Sequence, residues 1–232
     1  MQVRARLIEM QTAYVLHTRR YGDSSLIAEL LTREQGRVAG MAKGALRARR
    51  RDSRIESFQP LLVELRGRGE VMTLTRAESN GTPLRLKGRN LYCGLYLNEL
   101  LLRLTAREDA CPELFDDYGR AVRALAEEVP AEPILRRFEV SMLSNLGLGL
   151  ALEQDMIGRP IVADRLYTYD VHSGASPCTG EHVGSCRGKT LIALRTGSFG
   201  DEATLRQARQ VMRRIIDFHL CGRPLLSREL FR

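Results

Sequence analysis

Ala13-Tyr-Val-Leu-His-Thr18 and Ser25-Leu-Ile-Ala-Glu-Leu-Leu-Thr32 are two short runs of strand-forming residues, and Tyr21-Gly-Asp-Ser24 between them has the composition of a turn. The same grammar continues outward. Gly36 opens a third run, Arg37 to Lys43, and a polar basic loop follows. After a turn at Phe58–Pro60 come Gln59 to Arg66 and Gly69 to Glu78, joined by the hairpin link Arg66-Gly-Arg-Gly-Glu70. Five short strands within about 70 residues and no long helix between them predict a small barrel or sandwich. A five-stranded OB-fold, a barrel that binds oligonucleotides, fits the count. An SH3-like barrel fits it nearly as well.

Beyond Pro83 the apolar spacing changes to that of helices. Leu91, Leu95 and Leu102 with Leu97, Leu101 and Leu104 leave almost no polar face, which predicts a buried helix. Pro112 starts a second, with Leu114, Tyr118, Val122 and Leu125 on one side. A third begins near Pro133, carries Leu135, Phe138, Met142 and Leu146, and ends at Gly147. Asp201 caps a fourth, with Leu205, Ala208, Met212, Ile215 and His219 on one face and Gly222 at its end. Residues 151–198 are rich in Gly, Ser and Thr without a period, and are expected to be irregular with short strands. The chain is thus expected to be α+β: an N-terminal barrel domain over 1–83, then a mainly helical domain over 84–232 with a Gly-rich insertion. The acid pairs Glu108–Asp109 and Asp116–Asp117 fall at helix ends, where they are expected to complement helix dipoles.

The formal net charge is +8 and the pI about 9.6, which favours an anionic partner such as nucleic acid. Arg supplies 33 of the cations and Lys 3. That bias fits bidentate phosphate contacts, and equally a GC-rich genome. Residues 1–83 hold 15 basic and 9 acidic residues, against 21 and 19 in the remainder, so the basic character belongs to the barrel. No apolar run reaches the roughly 18 residues that span a bilayer. The opening Met-Gln-Val-Arg-Ala-Arg carries no secretory signal, so a cytoplasmic protein without a membrane partner is expected. Five cysteines, an odd number, then read as free thiols or metal ligands rather than a disulfide framework.

The densest charge is Lys43-Gly-Ala-Leu-Arg-Ala-Arg-Arg-Arg-Asp-Ser-Arg54, six cations against one acid. Lys43, Arg47, Arg49, Arg50, Arg51 and Arg54 on one loop between barrel strands can neutralise several phosphates and release their counterions. Arg19, Arg20, Arg66, Arg68 and Arg76 extend this surface or are merely solvated. Tyr14, Tyr21 and Phe58 have the chemistry of stacking platforms, but so small a barrel is expected to keep its aromatics inside. His172, Cys178, His182 and Cys186, spaced H-x5-C-x3-H-x3-C, are four residues of the ligand types zinc takes. They lack a Cys-x2-Cys knuckle, and no cofactor is expected. There is no Walker-A loop, G-x-S-x-G or H-E-x-x-H, so no enzyme is predicted. Two other readings remain open at this point: an RNA-binding factor on the same barrel, and a metal-dependent hydrolase built on the His172 to Cys186 cluster.

Several short motifs occur in a fixed order along the chain: Lys43-Gly-Ala, Leu91-Tyr-Cys-Gly-Leu-Tyr-Leu-Asn-Glu-Leu-Leu101, Glu113-Leu-Phe-Asp-Asp-Tyr118, Leu135-Arg-Arg-Phe-Glu139, Leu143-Ser-Asn-Leu-Gly147 and Gly222-Arg-Pro-Leu-Leu-Ser-Arg-Glu-Leu-Phe231. Their order and spacing resemble the RecO family of recombination mediators over nearly the whole length. The resemblance implies an OB-fold followed by a helical domain, binding of single- and double-stranded DNA, and ATP-independent strand annealing. It further implies partnership with RecR, and recognition of the acidic C-terminal tail of single-stranded DNA-binding protein. Such a tail wants a cation beside an apolar notch, which points to Arg136 or Arg137 next to Phe138. Many members carry a four-cysteine zinc motif beginning Cys-x2-Cys. Here the corresponding stretch reads Gln154-Asp-Met-Ile-Gly158, so residues 151–198 resemble a degenerate form of it.

Overall fold

The computed structural model describes residues 6–47, 55–127 and 129–231. They group into two compact units, Met1–Glu127 with Leu230–Arg232, and Glu128–Glu229. The change from strands to helices near residue 84 is therefore not where the compact units divide. No helix among the described residues is long and apolar enough to cross a membrane.

The first unit is built on strands β1 (Arg6–Tyr21), β2 (Ser25–Thr32), β3 (Gly36–Ala42), β4 (Pro60–Gly67) and β5 (Val71–Ser79). They close in the order β1-β2-β3-β5-β4, with β3 and β5 parallel and every other pair antiparallel. This is the five-stranded ring of an OB-fold. The first strand is far longer than the expected Ala13 to Thr18, because closure asks it to serve two neighbours. Its first half pairs with β4, from Arg6↔Gly67 to Tyr14↔Pro60, and its second half with β2, from Ala13↔Thr32 to Tyr21↔Ser25. Alternation fills the interior: Leu61, Val63 and Leu65 of β4 meet Val15, Leu30, Val38 and Met72 in one buried cluster.

Two helices, α1 (Gly88–Leu104) and α2 (Pro112–Ala126), pack on the outside of β1. Strand β2 is buried on both faces. The register of β1 slips between Val15 and His17. The buried Leu16 carbonyl at this bulge accepts from Asn98 Nδ2 at 2.8 Å, and Asn98 Oδ1 accepts from the Tyr118 hydroxyl at 2.6 Å. One polar side chain of α1 thus satisfies the strand irregularity and ties it to α2. Tyr14 packs in the same place against Phe115 and Tyr118, with ring centroids 5.2 and 5.1 Å away. Close approach also explains Gly94: a Cβ there would meet Leu86 Cδ1 at 2.4 Å and Phe58 Cε1 at 2.8 Å. At the far side Gly36, with φ +65, lies so near the loop after α1 that a Cβ would sit 2.0 Å from the Asp109 carbonyl oxygen.

The second unit contains α3 (Ala131–Asn145), a three-stranded sheet, and helices α4 (Gly188–Thr196) and α5 (Glu202–His219). The sheet runs in the order β7-β6-β8, with β6 at Leu166–Asp170, β7 at Gly174–Pro177 and β8 at Ser185–Arg187. Asp201 caps α5 as expected, accepting from Thr204 N at 2.7 Å. That bond and the Lys189 ammonium hold its carboxyl down at about 2. The nine-residue α4 lies inside the stretch expected to be irregular, so that expectation is corrected. The helix is too short to show a period, although Gly197 at φ +68 ends it with an ordinary left-handed cap.

Candidate nucleic-acid interface

The basic loop begins where β3 ends. Lys43 and Arg47 are both exposed, Arg47 closing a single 3-10 turn, Ala45–Arg47. This root of the loop is pinned to the β1–β2 turn: Leu46 N donates to the Ser24 carbonyl at 2.9 Å, and Gly44 N to Ser25 Oγ at 3.4 Å. Arg49, Arg50, Arg51 and Arg54 lie outside the described residues.

Strand register brings other cations to the same end. Arg20 stands opposite Leu26, and Leu26 opposite Ala42, so exposed Arg19 and Arg20 share the barrel end from which Lys43 and Arg47 project. Exposed Arg68 tops the β4–β5 hairpin, which with the β1–β2 turn forms the pair of loops OB-folds use on oligonucleotides. Among the described residues, none of Arg19, Arg20, Lys43, Arg47 and Arg68 has an acidic partner within 4 Å.

Other arginines of the unit are committed to the fold. Arg33 makes a two-pronged contact with Asp116, which draws the Asp116 carboxyl below its ordinary range and raises the guanidinium. Arg37 and Arg107 share Glu29, and Arg37 also donates to the Thr105 carbonyl at 2.9 Å. Burial, with Arg107 beside it, lowers the Arg37 pKa. Arg6 pairs with Glu108. Glu108 and Asp116 therefore hold barrel arginines, a role that dipole complementation had not anticipated. Arg66 and Arg76 reach Glu64 and Glu78 on their own strands.

The aromatics divide. Tyr14 and Phe58 are each 5% exposed and belong to the core, as expected. Tyr21 does not: it is 51% exposed at the end of β1, beside Arg19 and Arg20. It lies past the stretch of β1 whose outer face the helices bury, so alternation turns it to solvent. There it is placed to stack on an unpaired base.

On α3, Arg136 and Arg137 separate as helical neighbours must. Arg136 is buried at 4% exposure, its Nη2 donating to Glu139 Oε1 at 2.5 Å, while its buried Nε–H has no acceptor among the described residues. Arg137 is exposed, and its Nε donates to the Gly197 carbonyl at the end of α4, 2.9 Å away.

The four residues with zinc-ligand chemistry do not converge. Cys186 is buried on β8, where burial pushes its thiol up to about 11. His172 lies edge-on to Phe218 at 5.0 Å, and His182 Nδ1 faces the Val183 carbonyl at 3.2 Å. Cys178 is half-buried, its Sγ nearest the Gly180 carbonyl. Among the described residues no group of three or more His, Cys, Asp and Glu is arranged to hold a metal ion.

In the stretch Gln154–Gly158 the buried Asp155 closes the turn. Its Oδ1 accepts from Ile157 N at 3.1 Å and Arg159 N at 2.9 Å, while its backbone bonds Gly158 N and the Arg159 carbonyl. These residues do not fit zinc. Asp155→Ala should therefore lower unfolding stability by about 1–3 kcal/mol, Asp155→Asn by less, and excess chelator should leave the thermal midpoint unmoved. A midpoint that falls with chelator would show a metal in this segment.

The comparisons with known proteins agree with this architecture. The family model described as Recombination protein O N terminal matches residues 7–82, and Recombination protein O C terminal matches 85–229. The DNA repair protein RecO of Methylococcus capsulatus is 45% identical over 222 residues, covering 95% of this chain and 91% of the relative. That of Aromatoleum aromaticum is 44% identical over 230 residues, covering 97% and 95%. That of Stutzerimonas stutzeri is 43% identical over 221 residues, covering 95% and 92%. With both family models matched in order and near-full-length relatives 43–45% identical, the chain belongs to the RecO family of DNA repair and recombination proteins, recombination mediators and not enzymes.

Proposed function

We propose that this chain binds single- and double-stranded DNA at the basic end of its barrel and anneals complementary strands without ATP. The observation that carries this is a set of exposed cations that have no acidic partner among the described residues: Arg19, Arg20, Lys43 and Arg47 at the barrel end that carries the exposed ring of Tyr21, with Arg68 on the β4–β5 hairpin. Phosphates take the cations and release their counterions, and an unpaired base takes the ring. Annealing then needs no bond chemistry, only two strands held together with their repulsion screened. In this reading the protein works in the bacterial cytoplasm at the nucleoid. With RecR it helps load recombinase onto DNA coated by single-stranded DNA-binding protein.

The acidic tail of that coating protein is received in this reading by α3. Arg137 is the cation at the surface, and the unsatisfied Nε–H of Arg136 is the donor left for a carboxylate that goes deeper. Loss of tail-peptide binding on Arg137→Ala, or on replacing Arg136 in a variant whose packing is restored by Arg136→Met with Glu139→Leu, supports α3, and no loss in either moves the site elsewhere.

The test of the main reading is annealing of complementary oligonucleotides without nucleotide cofactor, with matched RNA as competitor. Annealing well above the spontaneous rate, resisted by DNA at least as strongly as by RNA, is the expected result. A protein that binds RNA tightly and leaves DNA strands unannealed would overturn it.

A further inference from the structure

A cleft of about 560 Å³ opens in the first unit where β1, the start of β4 and helix α2 come together. That is the size of a small-ligand pocket, and the DNA-binding reading makes no use of it. Two hydrogen-bond donors meet at its wall. Arg123 Nη1 donates to the Tyr14 hydroxyl at 3.1 Å, so the hydroxyl oxygen is the acceptor there and its own proton is left over. Among the described residues nothing accepts that proton, although Tyr14 is only 5% exposed. Buried donors are ordinarily satisfied, so a spare one beside a guanidinium marks a place for an acceptor.

Gly119 keeps that place open. A Cβ there would stand 2.8 Å from the Tyr14 hydroxyl oxygen and 3.4 Å from Arg123 Nη2. The residue lies in the middle of α2, where glycine weakens a helix relative to alanine, and its φ is not positive. Space, and not backbone conformation, therefore asks for glycine at this position.

The charge of the lining narrows the ligand. It carries Arg33 and Arg123 against one acid, Asp116, and Arg33 already holds that carboxylate in two places. Arg123 has no carboxylate within 4 Å among the described residues. Phe115, Leu84 and Pro60 add apolar surface to the same cleft. A ligand that fits has one negative charge, oxygens that accept from a hydroxyl and a guanidinium together, and a compact apolar body. A carboxylic acid has all three. A nucleic-acid strand suits the cleft less, because one spare cation cannot neutralise successive phosphates and Asp116 repels them.

We infer that Tyr14 and Arg123 form a carboxylate-binding site, with Gly119 leaving the room and Phe115, Leu84 and Pro60 receiving the apolar part of the ligand. The carboxylate belongs either to a small free acid or to a partner protein that presents it beside an apolar side chain. The inference is independent of the DNA-binding reading and neither stands nor falls with it.

Phenylacetate is the probe for a free acid, a glutamyl-leucine dipeptide blocked at both ends is the probe for a protein-borne one, and phenylacetamide is the uncharged control. Amide NMR of the isotope-labelled full chain should show Gly81 and Gly119, which line the cleft, shifting with at least one of the two acids and not with the control. Tyr14→Phe keeps the ring and Arg123→Gln changes an exposed side chain, so both variants should melt as the native protein does. Each should bind the acid about tenfold more weakly. Shifts caused by phenylacetate support a free acid, and shifts caused by the dipeptide alone support a partner's carboxylate. If neither acid moves these resonances, if phenylacetamide moves them equally, or if both variants bind as tightly as the native protein, the site is overturned. Thymidine monophosphate binding more tightly than either acid would make this a nucleotide site, which also overturns the inference.

Discussion

Replacing Lys43, Arg47, Arg49, Arg50, Arg51 and Arg54 together by Ala is expected to weaken single-strand binding about a thousandfold near physiological salt. The size follows from counterion release. If the loop neutralises about five phosphates, each contributes roughly 0.7 to the slope of log affinity against log salt, or 3 to 4 in all. At about 0.15 M salt that slope is worth roughly three decades of affinity. The variant should therefore lose most of its salt dependence along with its affinity, keeping a residue of both from Arg19, Arg20 and Arg68. It should also stay folded, because the arginines that hold the first unit are others: Arg33 on Asp116, Arg37 and Arg107 on Glu29, Arg6 on Glu108. Anisotropy titrations across a salt series, with a thermal melt of the same samples, check both halves. An unchanged slope would remove this loop from the contact surface.

The barrel was legible in the sequence because each strand states its own register. Leu61, Val63 and Leu65 alternate with half-buried neighbours, and the Arg66–Glu70 turn marks where the chain must reverse. The first half of β1 was not legible: Arg6, Leu7, Glu9 and Met10 are exposed and show no alternation. That segment is a strand only because β4, remote in sequence, needs a partner to close the ring. The same distance hides the ion pairs. Asp116 and Glu108 look like helix-end acids until the fold brings Arg33 and Arg6 to them from about a hundred residues away. Of the candidate sites, the loop was plain from charge density alone. The convergence of Arg19, Arg20 and Tyr21 on it required the strand register, and no local pattern distinguishes a Tyr that faces out at a strand end from one that faces in.

The other legible-but-ambiguous pair was Arg136 and Arg137, and its resolution leads to a large stability effect. Arg136→Ala is expected to destabilise the second unit by about 3–5 kcal/mol, because it leaves the carboxylate of Glu139, itself 0% exposed, without its arginine. Arg137→Ala removes a single surface hydrogen bond to the Gly197 carbonyl and should cost about 0.5–1.5 kcal/mol. A buried ion pair is rarely the most stable filling for its space, so Arg136→Met combined with Glu139→Leu should recover most of the loss or exceed the native stability. Urea unfolding of the four proteins reads these differences directly. If the double variant stays as unstable as Arg136→Ala, the pair is not an isolated one and further polar groups depend on it. The double variant also separates folding from recognition. It restores the packing of α3 without a guanidinium at position 136, so an acidic tail peptide that binds it as tightly as the native protein owes nothing to Arg136 and must be held by Arg137 or by another surface. If the stable double variant has lost the peptide, the buried guanidinium was kept for its ligand, which explains why α3 carries a charge pair where an apolar pair would fold better.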